Sequence, residues 1–249
     1  MSLILEILRR RSGGDRPYLQ RFLYEPEGPA ETAATALRRL NAAENLRDMD
    51  GAPAEPIRWE SSCLQKRCGA CAMLLNGRPG LACDARLSSY RKVLRLEPLK
   101  KFPVVADLVV DRSVLHENLK AMKVWFGSPE AEKTEAGVPE TPSAMTERIT
   151  ETAYEASRCL QCGCCLEVCP NCLPGETFVG MAAAVPAARL IAELPEERRR
   201  ELTALYRRRV YEGCGKSLSC QNVCPAEIPA DELLARSNAA AVWRVLRKR

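Results

Sequence analysis

The chain has 249 residues, long enough for one large or two modest domains that each bury a core. Its apolar share of 46% is that of an ordinary globular protein, and with aromatics at 5% the packing must rest on Leu, Val and Ala. A net charge of +5 without one long basic block makes no electrostatic case for nucleic acid, and the arginines at 198–200 and 207–209 read as solvated helix faces.

Met1 to Arg10 places its basic residues after the apolar ones and has no small-residue cleavage site, so it does not read as a secretory signal. Residues 3–9 alternate as a strand with Leu3, Leu5 and Ile7 on one face. Gly13-Gly14 signals a turn, and Tyr18 to Tyr24 reads as the return arm of a hairpin, broken by Pro26-Glu-Gly-Pro29. Thr32 to Leu46 is a predicted helix with Ala33, Ala36, Leu37, Leu40 and Ala43 inward, and Ile57 to Glu60 a short strand. Residues 1–60 therefore read as a small α+β unit, two strands crossed by a helix.

Cysteine then takes over. Cys63-x4-Cys68-x2-Cys71-x11-Cys83 has the spacing of plant-type 2Fe–2S proteins, in which a loop folds over the cluster and a later cysteine closes the site. Gly69 lets the loop backbone come close to the sulfides, whose potential N–H donors would raise. Ala72 to Leu75 is a strand, Asn76-Gly77 a hairpin turn, and Gly80 frees the return to Cys83. Val93 to Leu96 and Val104 to Val110 complete the sheet or cross to a second domain, Asp111 to Phe126 is helix-like, and Gly127 to Ser143 is a polar surface connection.

Thr146 to Arg158 is an amphipathic helix, with Ile149, Ala153 and Ala156 inward, that delivers the second cysteine group. With Cys165 as its third member, Cys159-Leu-Gln-Cys162-Gly-Cys164-Cys165-Leu-Glu-Val-Cys169-Pro170 is C-x2-C-x2-C-x3-C-P, in which the fourth cysteine serves the other cluster of a pair. The partner group is Cys214-x5-Cys220-x3-Cys224-Pro225, with Ser217 where its second ligand should stand. Crossing the fourth cysteines gives Cys159, Cys162, Cys165 and Cys224 to one cluster, a full 4Fe–4S set. Cys169, Cys214 and Cys220 remain for the other, which is one thiolate short and expected to be 3Fe–4S; a serine oxygen at 217 is the competing fourth ligand. Helices Phe178 to Leu194 and Glu196 to Tyr211, parted by Pro195, lead to Cys214, and Asp231 to Lys248 closes the chain.

Of thirteen cysteines, Cys164 and Cys172 stay outside the scheme and read as packed side chains. A disulfide framework belongs to small secreted chains, and structural zinc needs neither of these spacings nor two Cys-Pro ends. His116 is the only histidine, which rules out a Rieske centre. Val179 to Ala192, the longest apolar stretch, carries Pro186 and Arg189 and falls short of the ~20 residues of a membrane span. The chain is expected to be soluble and intracellular, with no substrate chemistry of its own and any membrane contact made through a partner.

Across nearly its whole length the chain resembles the iron–sulfur subunit of succinate dehydrogenase and fumarate reductase. The likeness rests on Cys63-x4-Cys68-x2-Cys71-x11-Cys83 with Asn76-Gly77 and Gly80-Leu-Ala-Cys83, on Pro103-Val-Val-Ala-Asp-Leu-Val-Val110, and on both Cys-Pro groups. It implies an α+β chain, an N-terminal β-grasp 2Fe–2S ferredoxin domain over 1–108 and an all-α helical ferredoxin domain over 109–249. It implies a flavoprotein partner with covalent FAD, a membrane cytochrome b or anchor subunit with haem b, and a peripheral place on the cytoplasmic face of the inner membrane. Cys63, Cys68, Cys71 and Cys83 would hold 2Fe–2S nearest the flavin, Cys159, Cys162, Cys165 and Cys224 the middle 4Fe–4S, and Cys169, Cys214 and Cys220 the 3Fe–4S nearest the quinone. Leu173-Pro174 and Gly215 stand where ubiquinone-type members have tryptophan and histidine. With Cys162-Gly-Cys-Cys-Leu-Glu-Val-Cys-Pro-Asn171 they point to the menaquinone-linked branch. A three-cluster carrier for another dehydrogenase or a thiol-linked reductase is the alternative.

Overall fold

The strict alternation of Leu3–Arg9 buries Leu3, Leu5 and Ile7 on one face and makes β1. In the computed structural model, which describes residues 2–124, 147–173, 176–194 and 196–243, β1 belongs to a five-stranded sheet. The strands are β1, β2 (Tyr18–Tyr24), β3 (Ala72–Leu75), β4 (Arg78–Leu81) and β5 (Val93–Glu97), in the order β2-β1-β5-β3-β4. β1 and β2 form the expected hairpin, Leu3 opposite Tyr24. β5 runs parallel to β1, Ile4 opposite Val93, and antiparallel to β3. The first 60 residues are thus not a unit of their own: β1 needs β5, some ninety residues on, to cover its other edge.

Helix α1 (Ala33–Ala42) starts at Thr32, whose hydroxyl accepts from the Thr35 N–H at 3.3 Å, and buries Ala33, Ala34, Ala36 and Leu37. It ends earlier than its apolar pattern suggests, leaving Ala43 exposed. The segment Ile57–Glu60 is not a strand. The Asn41 side chain takes both main-chain groups of Ile57, donating to its carbonyl at 2.8 Å and accepting from its N–H at 2.7 Å, so no ladder is needed to bury it. Val104 to Val110 does not join the five-stranded sheet but forms a separate hairpin, β6 (Val104–Ala106) and β7 (Val109–Val110), turned at Asp107 with φ +45°. Asp107 accepts from the Arg10 N–H and the Arg58 N–H, both at 2.9 Å, and its Oδ1 lies 3.0 Å from Arg9 Nε. Both side chains of that ion pair are almost fully buried.

The second half is helical: α2 (Ser113–Ala121), α3 (Glu147–Ser157), α4 (Cys164–Val168), α5 (Gly180–Glu193), α6 (Glu196–Tyr206), α7 (Ser219–Asn222) and α8 (Ala230–Asn238). α6 and α8 run on as wider π turns over Arg207–Tyr211 and Ala239–Trp243. Ala153 and Ala156 of α3 are buried as expected. The alanine-rich α5 packs against α2, α3, α4, α6 and α8, and its small side chains let five helices approach one axis. The connection expected over Gly127 to Ser143 and the last turn of the closing helix lie outside the described residues.

Lys101 fastens the two halves together. Its N–H donates to Glu167 Oε2 at 3.0 Å, and its ammonium donates to the carbonyls of Cys169 and Cys172. Beside it the Phe102 ring fills the space over Gly163 so closely that an added Cβ would sit 2.7 Å from Cζ.

Candidate iron–sulfur centres

The first centre lies in the loop before β3. Leu64, Lys66 and Gly69 all take positive φ, which turns successive N–H groups inward. Those of Gln65 and Arg67 point at Cys63 Sγ and that of Lys66 at Cys83 Sγ, each at 3.3 Å. The hydrogen bonds from Gln65 and Arg67, then that from Cys68, draw the Cys63 thiol down to about 7, so that it ionises readily. Cys71 is buried, and burial pushes its thiol up to about 12. A four-cysteine loop with N–H donors aimed at the sulfurs of Cys63 and Cys83 is what a cluster with anionic sulfides requires, and the residues fit 2Fe–2S.

The two Cys-Pro groups interleave in space. Cys159, Cys162, Cys165 and Cys224 line one cavity, and Cys169, Cys214 and Cys220 line a second. Cys220 reaches both, and Ser217 lines only the second. Thiols set around a volume, rather than converging on a point, suit a polynuclear group. Around the first cavity, burial lifts Cys159 to about 11, while the Cys164 thiol and N–H and the Arg112 charge bring Cys162 down to about 7 against burial. Gln161 donates its amide to Cys159 Sγ at 3.3 Å and to the Ala182 carbonyl at 2.8 Å. In the second cavity Ser217 is exposed, and its hydroxyl accepts from that of Ser219 at 3.3 Å.

Two other cysteines stand apart. Cys164 is wholly buried at the start of α4, and hydrogen bonding to Cys162 with burial pushes its thiol far up. Cys172 lines a hollow with Lys101, Phe102 and Leu166, and its Sγ lies beside Gly180, which lines the cavity of Cys169: a Cβ on Gly180 would sit 3.2 Å from it. His116 is exposed on α2.

Residues 4–117 match the family model of a 2Fe-2S iron-sulfur cluster binding domain, and residues 155–228 that of a 4Fe-4S dicluster domain. The chain is 34% identical over 237 residues to the succinate dehydrogenase iron-sulfur subunit of Bacillus subtilis, covering 93% of this chain and 89% of that one. The chain belongs to the iron–sulfur subunit family of succinate dehydrogenase and fumarate reductase. Within that family it is also 27% identical over 236 residues to the fumarate reductase iron-sulfur subunit of Wolinella succinogenes, covering 90% of each chain. A chain of the Mycobacterium smegmatis Sdh1 complex has the same fold, with a TM-score of 0.74 at 21% identity over 98% of this chain and 97% of that one. The β-grasp domain followed by a helical ferredoxin domain, and a role in electron transfer through 2Fe–2S and 4Fe–4S clusters, go with membership.

Sequence reasoning missed Gln161, Gly163, Lys101 and Arg112. Gln161 and Gly163 lie inside the cysteine motif and were legible as loop residues near sulfur; nothing in the spacing marks the other two.

Proposed function

We propose that this chain is the relay of a succinate:quinone oxidoreductase, with Cys63, Cys68, Cys71 and Cys83 holding 2Fe–2S. In this reading Cys159, Cys162, Cys165 and Cys224 hold 4Fe–4S, and Cys169, Cys214 and Cys220 hold 3Fe–4S. The observation that carries it is the interleaving of the cavities, with Gly69 of the first loop against Cys162 of the second: a Cβ on Gly69 would lie 2.8 Å from that of Cys162. Bound there, the clusters would supply one-electron steps between the two-electron chemistry of a flavin and a quinone.

The chain's own part is to hold, insulate and tune. Exposed Gln65 and Arg67 mark an opening at the first centre, where a flavoprotein subunit with FAD would dock. Exposed Gly215, Lys216 and Ser217 mark one at the third, toward a membrane cytochrome b or anchor subunit. Among the described residues no helix is long and apolar enough to cross a membrane. A peripheral place on the cytoplasmic face, held by those partners, is part of the same proposal. The division at 108/109 belongs to the same reading, since α2 packs on α5. Menaquinone is the proposed acceptor or donor. Asn171 donates to the Gly213 carbonyl at 2.7 Å and lies over Gly215, where a Cβ would meet it at 3.1 Å, so a histidine there would require Asn171 to shift by a few tenths of an ångström.

EPR spectroscopy of anaerobically prepared protein tests the ligand scheme. An oxidised 3Fe–4S signal is expected, joined on reduction by 2Fe–2S and 4Fe–4S signals. A second 4Fe–4S signal in place of 3Fe–4S would mean that Ser217 or another group supplies the missing ligand, and would overturn the third assignment. Turnover of the purified complex that is far faster with ubiquinone than with menaquinone would sink the quinone assignment alone.

A further inference from the structure

Arg112 lies between the first two centres, and neither cysteine motif contains it. It immediately precedes α2, and its guanidinium spans three carbonyls of the first loop. Nη1 donates to Gly69 O at 2.9 Å, and Nη2 donates to Ala70 O at 2.7 Å and Ala72 O at 3.3 Å. Gly69, whose carbonyl is gripped, is also the residue in contact with Cys162. The facing carboxylate, Glu60, comes within 3.4 Å of Nη2 but is 43% exposed against 19% for Arg112, so water screens the anion more than the cation. Nε is buried without a hydrogen-bond partner. A buried donor in that state is costly unless an acceptor arrives, and sulfur is the acceptor chemistry that the neighbouring cysteines would assemble.

We propose that Arg112 is a positioning residue for electron transfer between the first and second centres. It clamps the carbonyls of Gly69, Ala70 and Ala72 so that this loop stays packed on Cys162, and its positive charge stabilises the reduced state of both clusters. Reduction adds one negative charge to a cluster, and a fixed cation in a poorly screened site favours that state. The inference rests on the ligand reading above.

The test is a redox titration followed by EPR on the iron-loaded full chain, as wild type, R112Q and R112K. R112Q is expected to make one-electron reduction of the 2Fe–2S and 4Fe–4S clusters roughly three- to tenfold less favourable, tenfold corresponding to about 59 mV. The 3Fe–4S potential, set at the far cavity, should stay within about twofold as an internal control. R112K keeps the charge but cannot span three carbonyls, so it should restore most of the potential without restoring thermal stability. Wild-type potentials in R112Q, or a shift in R112K as large as in R112Q, would overturn the proposal. If R112Q does not retain iron, E60Q carries the test by leaving the guanidinium less compensated. Its expected result is easier reduction of the same two clusters, and unchanged potentials would overturn the role. A wild type without the three signals would sink the ligand reading instead, so the two failures are distinguishable.

Discussion

Gly69 shows how one residue can serve two centres. Its place between Cys68 and Cys71 suggests a backbone that must approach sulfide, and it does adopt φ +74° in the loop. The structure adds a second demand, because a Cβ would also lie 2.8 Å from the Leu160 carbonyl and from Cys162 Cβ. Gly69→Ala is therefore expected to destabilise by about 1–3 kcal/mol from backbone strain alone, with more from the contact. Thermal unfolding of the iron-loaded protein measures it, and a variant as stable as wild type would mean that the two loops are not held together here. Cys164 gives the opposite expectation. Wholly buried yet outside the ligand scheme, it should be replaceable by alanine at a cost on the order of 1 kcal/mol, with all three EPR signals kept. Loss of any signal in Cys164→Ala would mean that Cys164, not Cys165, is a ligand.

At the scale of elements, the hairpin β6–β7 departs most from what the sequence suggests. The seven residues from Val104 to Val110 are expected to complete the sheet or cross to the second domain, but Asp107 turns them back on themselves at φ +45° and carries its carboxylate inside to Arg9. That carboxylate binds the end of β1 through the Arg10 N–H and the segment before the first cysteine loop through the Arg58 N–H. Removing one partner of a buried pair strands the other charge. Asp107→Ala is accordingly expected to cost about 3–5 kcal/mol, which denaturant unfolding would read. Asp107→Asn keeps the turn geometry and one acceptor oxygen and should cost less; equal losses would show that the charge is immaterial. The missing strand at Ile57–Glu60 has a related cause, since a side-chain amide 16 residues away satisfies the backbone that a strand would otherwise have paired.

For the whole molecule, the helical half should depend on its clusters far more than the sheet does. β1 is paired along its length with β2 and over Ile4 to Ile7 with β5, whereas α4 and α7 are single turns joining cysteines, too short to persist alone. Stripping iron and sulfide is expected to lower amide-exchange protection over residues 159–172 and 214–224 by more than roughly tenfold while β1 and β5 keep theirs. Uniform loss of protection would instead mean that the halves unfold as one unit through Lys101. Cluster chemistry was legible in the chain because it is written as short spacings between ligands of one type. The hairpins and the amphipathic helices were legible because turn residues and hydrophobic period are local. What holds the centres in series was not: Lys101 reaches the Cys172 carbonyl across 71 positions, and Arg112 reaches Gly69 across 43. Isolated basic residues carry no mark in a sequence of the carbonyls they will meet. Only the packing of the helical half on the sheet decides that, because a guanidinium or ammonium finds its partners through space and not along the chain.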